Sequence, residues 1–312
     1  VPPLRRLLEV PLLLLGAATV VFFLIHLIPG DPAAAMLGEG AAPADVAGLR
    51  RDLGLDRPVL AQYAAWLSGA LRGDLGASIL TKRKVSGEIL TALPATAELA
   101  GVAFLGALLV AVPTGIAAAL ARGRPLDGLL RAASLVGVST PNYVSGPVLV
   151  LVFSVGLGLL PVSGRDGRGA IVLPAVTLAL ALAALLSRMV RACLSEEMGR
   201  PYVAAALARG ERPLRAILRH AGRNALPPVL IVAGLQFGSL LTGAVVTETI
   251  FSWPGVGRLL VQSIQRRDYP LVQGCVLFIA ATFILVNAGV DALASALDPR
   301  ARARAGGEGE GA

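Results

Sequence analysis

"LAGVAFLGALLVAVPTGIAAAL" fills Leu99–Leu120 with no charged residue. Twenty-two residues at about 1.5 Å each make a helix about 33 Å long, enough to cross a hydrocarbon core roughly 30 Å thick. A core helix of a soluble enzyme would instead show polar residues on one face every turn or two. Five further uncharged runs accompany it: Leu12–Ile28, Ala132–Leu160, Ala170–Ser187, Ala225–Thr247 and Pro270–Val290, of 17, 29, 18, 23 and 21 residues. Mean hydropathy is +0.73, and only 15% of the 312 residues are charged. The chain therefore reads as an all-α polytopic membrane protein with six transmembrane helices. The 29-residue run is too long for one straight span, and Pro141 and Pro147 should kink or shorten it.

Arginine placement orients the chain. The N-terminus, the loops after runs two and four and the C-terminal tail carry 16 Lys and Arg, against five in the loops 161–169 and 248–269. The positive-inside bias puts both termini in the cytoplasm and the long segment 29–98 outside. The net charge of +8 is thus a topology signal; no basic patch interleaved with aromatics points to nucleic acid. The first run is longer than the apolar core of a signal peptide and reads as a retained helix. Within the outer segment, Leu60, Tyr63, Trp66, Leu67 and Leu71 share a helical face, expected at the outer interface or as a small lid on the membrane part. The tail after Pro299, rich in Arg, Gly and Glu, is expected to be disordered.

A second stretch, "PYVAAALARGERPLRAILRHAGRNALPPVL" (Pro201–Leu230), stands out because arginines recur there every few residues. Pro201 suits a first helical position, Gly210 a left-handed C-terminal cap, and Pro213 the start of another helix. In that second helix Arg212, Arg215, Arg219 and Arg223 form one stripe and Leu214, Ile217, Leu218 and Ala221 another face. Such a helix suits the cytoplasmic membrane surface, and the alanine-rich helix before it leaves little side chain to obstruct a close protein contact.

Several functions are excluded by what the motifs lack. Lys82 and Lys84 are the only lysines, and neither lies in a phosphate-binding G-x-x-x-x-G-K-[ST] loop, so the chain has no Walker site for ATP. The runs carry polar neutrals such as Asn142, Gln236 and Asn287 but none of the acid–base pairs of a proton-coupled carrier. Cys193, Cys275, His26 and His220 stand alone in sequence, so neither a metal centre nor a protease arrangement is in view. Gly234 and Gly238 form a G-x-x-x-G that permits close helix packing. Asn142 and Gln236, poorly satisfied against lipid, are expected on a pathway or a helix seam. Glu248 ends run five just before Pro254, Gly255 and Gly257 break the helix; an outer gate element is expected there, with Trp253 at the interface.

The Tyr202–Leu230 passage resembles the cytoplasmic EAA loop of ABC importer permeases, in the branch that handles dipeptides, oligopeptides and nickel. "HLIPGDPA", "LGLDRPVLAQY", "GDLGAS", "LPATAELA", "GVSTPNY", "LPAVTLAL", "ETIFSWPGVGRLL", "RRDYPLVQG" and "VDALASALDPR" extend the likeness, in order, over nearly the whole chain. The resemblance implies an ABC type-1 permease fold in a bacterial or archaeal cytoplasmic membrane. Its parts would be a helix and outer segment over 1–94, a permease core over 95–298 with a coupling loop at about 190–225, and a tail over 299–312. It also implies partners: a second homologous permease, two cytoplasmic ATPases, an extracytoplasmic solute-binding protein and membrane lipids. ATP and Mg would then belong to the ATPases, with no cofactor on this chain. Ala204, Ala205, Ala206 and Gly210 occupy the E-A-A-x-x-x-G positions, with alanine in place of the leading glutamate. Tyr202, Arg219, Asn224 and Pro227 complete the implied coupling set. A secondary carrier or channel, or a membrane-embedded enzyme, is the rival reading.

Overall fold

The computed structural model describes residues 3–26, 32–38, 40–52 and 54–297. Helices follow one another as α1 (Pro3–His26), α2 (Pro32–Leu37), α3 (Pro43–Asp52), α4 (Val59–Leu71), α5 (Val85–Leu120), α6 (Pro125–Ser139) and α7 (Asn142–Leu149). Then come α8 (Val172–Met198), α9 (Pro201–Ala208), α10 (Pro213–Ala216), α11 (Gly222–Gly243), α12 (Val245–Ile250), α13 (Val256–Gln265) and α14 (Tyr269–Leu297). Two π-helical segments extend them, Val150–Gly156 after α7 and Ile217–Ala221 between α10 and α11.

Among the described residues, four helical units are long and apolar enough to cross a membrane: Val85–Leu120, Val172–Met198, Pro213–Leu241 and Tyr269–Ala294. A fifth is the pair Pro125–Ser139 and Asn142–Gly156, bent by 102°. The bend falls at Thr140–Pro141, because a residue before proline is pushed out of the α region and Thr140 adopts ψ 113°. Pro141 thus breaks the 29-residue run, while Pro147 is absorbed inside α7. The first run forms α1, whose apolar part Glu9–Phe23 is shorter; Leu27 and Ile28 at its end, and the tail beyond Leu297, lie outside the described residues.

The centre of the molecule is the contact between α5 and α8. Lipid tails are as apolar as leucine, so helices in a bilayer gain from close van der Waals contact rather than from leaving water. Small residues allow that approach: Ala100, Ala103, Ala107 and Ala111 make a fully buried stripe on α5, in one cluster with Leu178, Leu182 and Leu186 of α8. At Gly115 the backbones come so close that a Cβ would stand 2.6 Å from Cβ of Val190 and 2.7 Å from the Ser187 carbonyl oxygen. The G-x-x-x-G of α11 works the same way against α14, with a Cβ at Gly234 falling 2.7 Å from Val290.

On the outer segment the expected single face of α4 is divided. Tyr63 and Trp66 pack on α1, their rings 5.3 and 5.7 Å from Phe22, and the Tyr63 hydroxyl shares a 2.7 Å hydrogen bond with Thr19. Leu60 and Leu71 point outward, 77% and 82% exposed. Aromatic stacking on α1 claims one edge of the face, so α4 is a lid docked on the first helix. Beyond it, the Ser78 hydroxyl donates to Asp268 at 2.5 Å, fastening the outer segment to the start of α14.

Gly115→Leu is expected to destabilise the protein by about 1–3 kcal/mol through overpacking. Gly101→Leu, on the same helix with open space at its Cβ, serves as the tolerated control. Thermal unfolding of the purified variants, followed by the loss of helical circular dichroism, checks the contrast; equal melting temperatures would contradict the close α5–α8 contact.

Candidate functional site

Two sites sit at opposite ends of the α5–α8 pair. The first is the elbow from α8 through α9 to α11. Pro201 opens α9, where its missing N–H costs nothing, and α9 ends at Ala208. Gly210 has φ +82°, and the amides of Gly210 and Glu211 donate back to the carbonyls of Leu207 at 2.9 Å and Ala206 at 3.3 Å. This is the left-handed helix cap that the sequence indicated.

Two residues of α9 turn inward. Both Val203 and Ala206 are buried, and Val203 sits in a cluster with Ala119 of α5, Leu194 of α8, Ile217 and Ala221 of the π segment and Ala225 of α11. Ala206 therefore does not belong to the open face, which consists of Tyr202, Ala204, Ala205, Leu207 and Ala208. The Tyr202 hydroxyl donates to the Glu197 carboxylate. Burial holds its phenol above the ordinary range. Arg200 pairs with Glu196 at 2.9 Å, and His220, solitary in sequence, meets Glu211 at 2.9 Å.

The arginine helix departs from its expected form. It does not lie as a separate helix on the membrane surface but continues through the π segment into α11, within one apolar unit from Pro213 to Leu241. Arg212, Arg215, Arg219 and Arg223 are all exposed. The apolar face is redistributed: Ala216, Ile217 and Ala221 are buried, while Leu214 and Leu218 are 55% and 45% exposed. A π turn takes more residues per revolution than an α turn, and this rotates the buried line away from a strict 3.6-residue period. Asn224 is exposed and Pro227 half-buried inside α11.

The second site gathers around Glu248, which is completely buried. One carboxylate oxygen accepts from the Thr96 hydroxyl at 2.7 Å and the other from the Arg258 amide at 3.0 Å. The Thr96 hydroxyl in turn accepts from the Val256 amide at 2.9 Å. Glu248 thus faces the unsatisfied amides and positive dipole end of α13. Gly255 and Gly257 are needed for this approach: a Cβ on Gly255 would overlap the carboxylate, and one on Gly257 would stand 2.6 Å from Cα of Val245. Trp253, expected at the interface, is instead 1% exposed. Its indole N–H donates 2.7 Å to the Ala95 carbonyl, which removes the polar tip that would have sought the headgroup level. Outside it, Arg165 pairs with Glu98 at 2.5 Å and lies 5.8 Å over the Trp253 ring.

Asn142 and Gln236 are half-buried on different helices, α7 and α11, with no hydrogen bond joining them. Sequence reasoning passed over Thr96, Glu98 and Arg165 as parts of a site. The only local signal was Thr96 inside the quoted string "LPATAELA", because its partners lie about 150 residues away.

Comparison with known proteins agrees with this architecture. Residues 111–303 match the family described as binding-protein-dependent transport system inner membrane component, and residues 3–100 match its N-terminal companion family. The glutathione transport system permease protein GsiC of Salmonella typhimurium is 40% identical over 96% of this chain and 98% of its own length. The dipeptide transport system permease protein DppB of Escherichia coli K12 is 39% identical with the same coverage, 96% and 98%. Among solved structures, the MetNI methionine ABC transporter in inward-facing conformations matches with TM-score 0.54 and 17% identity, covering 67% of this chain and 96% of the other. An amino acid ABC transporter matches with TM-score 0.52 and 18% identity, covering 69% and 94%; at such identities the likeness speaks for the fold alone. The chain belongs to the family of inner-membrane components of binding-protein-dependent transport systems, and is a permease subunit of an ABC importer.

Proposed function

We propose that this permease forms one half of a pore with a second homologous permease, through six transmembrane helices with both termini in the cytoplasm. Two separate ATPases, holding ATP and Mg, dock on α9, and an extracytoplasmic binding protein delivers the solute. The names of the relatives, glutathione and dipeptide permeases, favour a small peptide or related solute as cargo. The observation that carries the coupling role is the seating of α9. One face is nearly bare, while Val203 is set into a cluster built from α5, α8 and α11, with Ala206 buried beside it on α9. A displacement of α9 therefore bears on three spans at once, because a close-packed cluster transmits a push instead of absorbing it. Tyr202, tied to Glu197, fixes the angle of α9 against α8. At the outer end, the Glu248 clasp holds α12 and α13 against α5 as the closed gate, and Asn142 and Gln236 face the pathway or a helix seam.

Gly210→Val tests the coupling role. Its Cβ would meet open space, so the penalty is the positive φ, about 1–3 kcal/mol for a non-glycine residue held there. The variant is expected to insert normally but to lose ATPase docking in pull-down and solute uptake in membrane vesicles. Normal docking with normal uptake would remove α9 from the coupling path.

Glu248→Gln should loosen the outer clasp, because the amide group turns a donor towards one of the groups that now donates to it. Raised ATP hydrolysis in the absence of binding protein, with reduced uptake, is the expected outcome in reconstituted transporter; unchanged values of both would deny Glu248 a gating role.

Cysteine at position 142 or 236 is expected to react with a water-borne thiol reagent in at least one transport state. Protection in every state, scored by mass shift, would take that residue off the pathway.

A further inference from the structure

A second polar cluster, away from both sites, lies where α5, α6 and α8 meet. Asp127, in the first turn of α6, is 2% exposed. It accepts a bidentate pair from Arg191 of α8, at 2.7 and 2.8 Å. Its oxygens also receive the Gly123 amide at 3.4 Å and face Arg131 at 3.6 Å. That carboxylate is fully engaged, and it leaves two further guanidinium groups without equal counter-charge. Arg131 has 59% of its side chain exposed. Arg188, one turn from Arg191 on α8, is exposed and, among the described residues, has no ion pair.

Between these arginines is a recess of about 10 Å³, room for one oxygen-sized group. Ser134 and Ser187 line it, their hydroxyls 3.0 Å apart and donating to the Leu130 and Ala184 carbonyls, together with Thr114 and Ala118 of α5. Arg188 is the first charged residue after the uncharged run Ala170–Ser187. The cluster therefore sits at the level where hydrocarbon gives way to headgroups. Leu126 and Leu129 of α6 flank it, 50% and 66% exposed, as suits contact with acyl chains.

We infer that this groove binds the phosphodiester of an anionic phospholipid. One phosphate oxygen enters the recess, Arg131 and Arg188 take the remaining charge, and the Asp127–Arg191 pair is the rigid back wall. Guanidinium groups match phosphate oxygens in geometry and charge, and basic pockets between transmembrane helices on the cytoplasmic side recognise anionic headgroups. The inner-leaflet placement rests on the orientation proposed above. The lipid test does not depend on it, since it needs neither ATPase nor transport.

The purified full-length chain in detergent, titrated with phosphatidylglycerol or phosphatidylcholine, is read by native mass spectrometry. Two arginines at the membrane surface predict a preference for phosphatidylglycerol of about thirtyfold. Arg131→Gln with Arg188→Gln should abolish the preference. Arg131→Lys with Arg188→Lys, and Arg168→Gln on the opposite loop, should retain it. Equal binding of the two lipids by the wild type would overturn the proposal even if the glutamine variant failed to fold, and so would an undiminished preference in that variant. Inorganic phosphate that competes as well as soluble short-chain phosphatidylglycerol would make this a free-anion site instead. A glutamine variant that keeps its lipid but loses a second permease subunit would assign the face to subunit contact.

Discussion

The approach of α5 to α8 sets the terms for everything else in this permease. A bilayer offers no hydrophobic gain for bringing two apolar helices together, so contact must come from packing density. Each pair of touching carbon atoms contributes only about 0.1–0.2 kcal/mol, and many must touch. The alanine stripe of α5 and Gly115 give the leucines and valines of α8 a smooth wall to lie against. α8 is accordingly the most buried of the four single helical units long enough to span. Larger residues on α5 would hold the two apart and dissolve the clusters at both ends.

Those end clusters use the same two helices in different ways. At the end nearer α9, Ala119 and Leu194 extend the α5–α8 contact to receive Val203 of α9. The contact there is apolar and small-grained, suited to carrying a push. At the opposite end, α5 presents Ala95 and Thr96 to α12 and α13, and the contact is a network of buried hydrogen bonds around Glu248. A buried carboxylate is costly unless every oxygen is occupied. The clasp is therefore either fully made or substantially lost, a behaviour that suits an element with two positions.

The Asp127–Arg191 pair adds a third kind of joint. It is bidentate and nearly closed to solvent on the Asp127 side, and it locks the start of α6 to α8 close to the elbow. Because α6 leads directly to the 102° bend at Pro141, a fixed base for α6 also fixes where the bend points. Arg131 and Arg188, left over by that pairing, turn the outside of the joint into a basic surface.

Some of this was decided by the sequence alone. Uncharged runs and proline positions depend on one segment at a time, and so the long apolar helices, a break at one of the two prolines of the 29-residue run, the start of α9 at Pro201 and the cap at Gly210 were readable. The G-x-x-x-G at Gly234 and Gly238 announced a close contact, though not that α14 would make it. Tertiary structure alone decided which side of each helix was used. Val203 is buried because α5, α8 and α11 converge on it, and Trp253 is inside because the Ala95 carbonyl is there to accept its N–H. Thr96 and Glu248 meet across 152 positions, and Asp127 and Arg191 across 64. Periodicity records the pull of an apolar environment on neighbouring residues; it holds no trace of which distant donor will arrive to satisfy a buried acceptor.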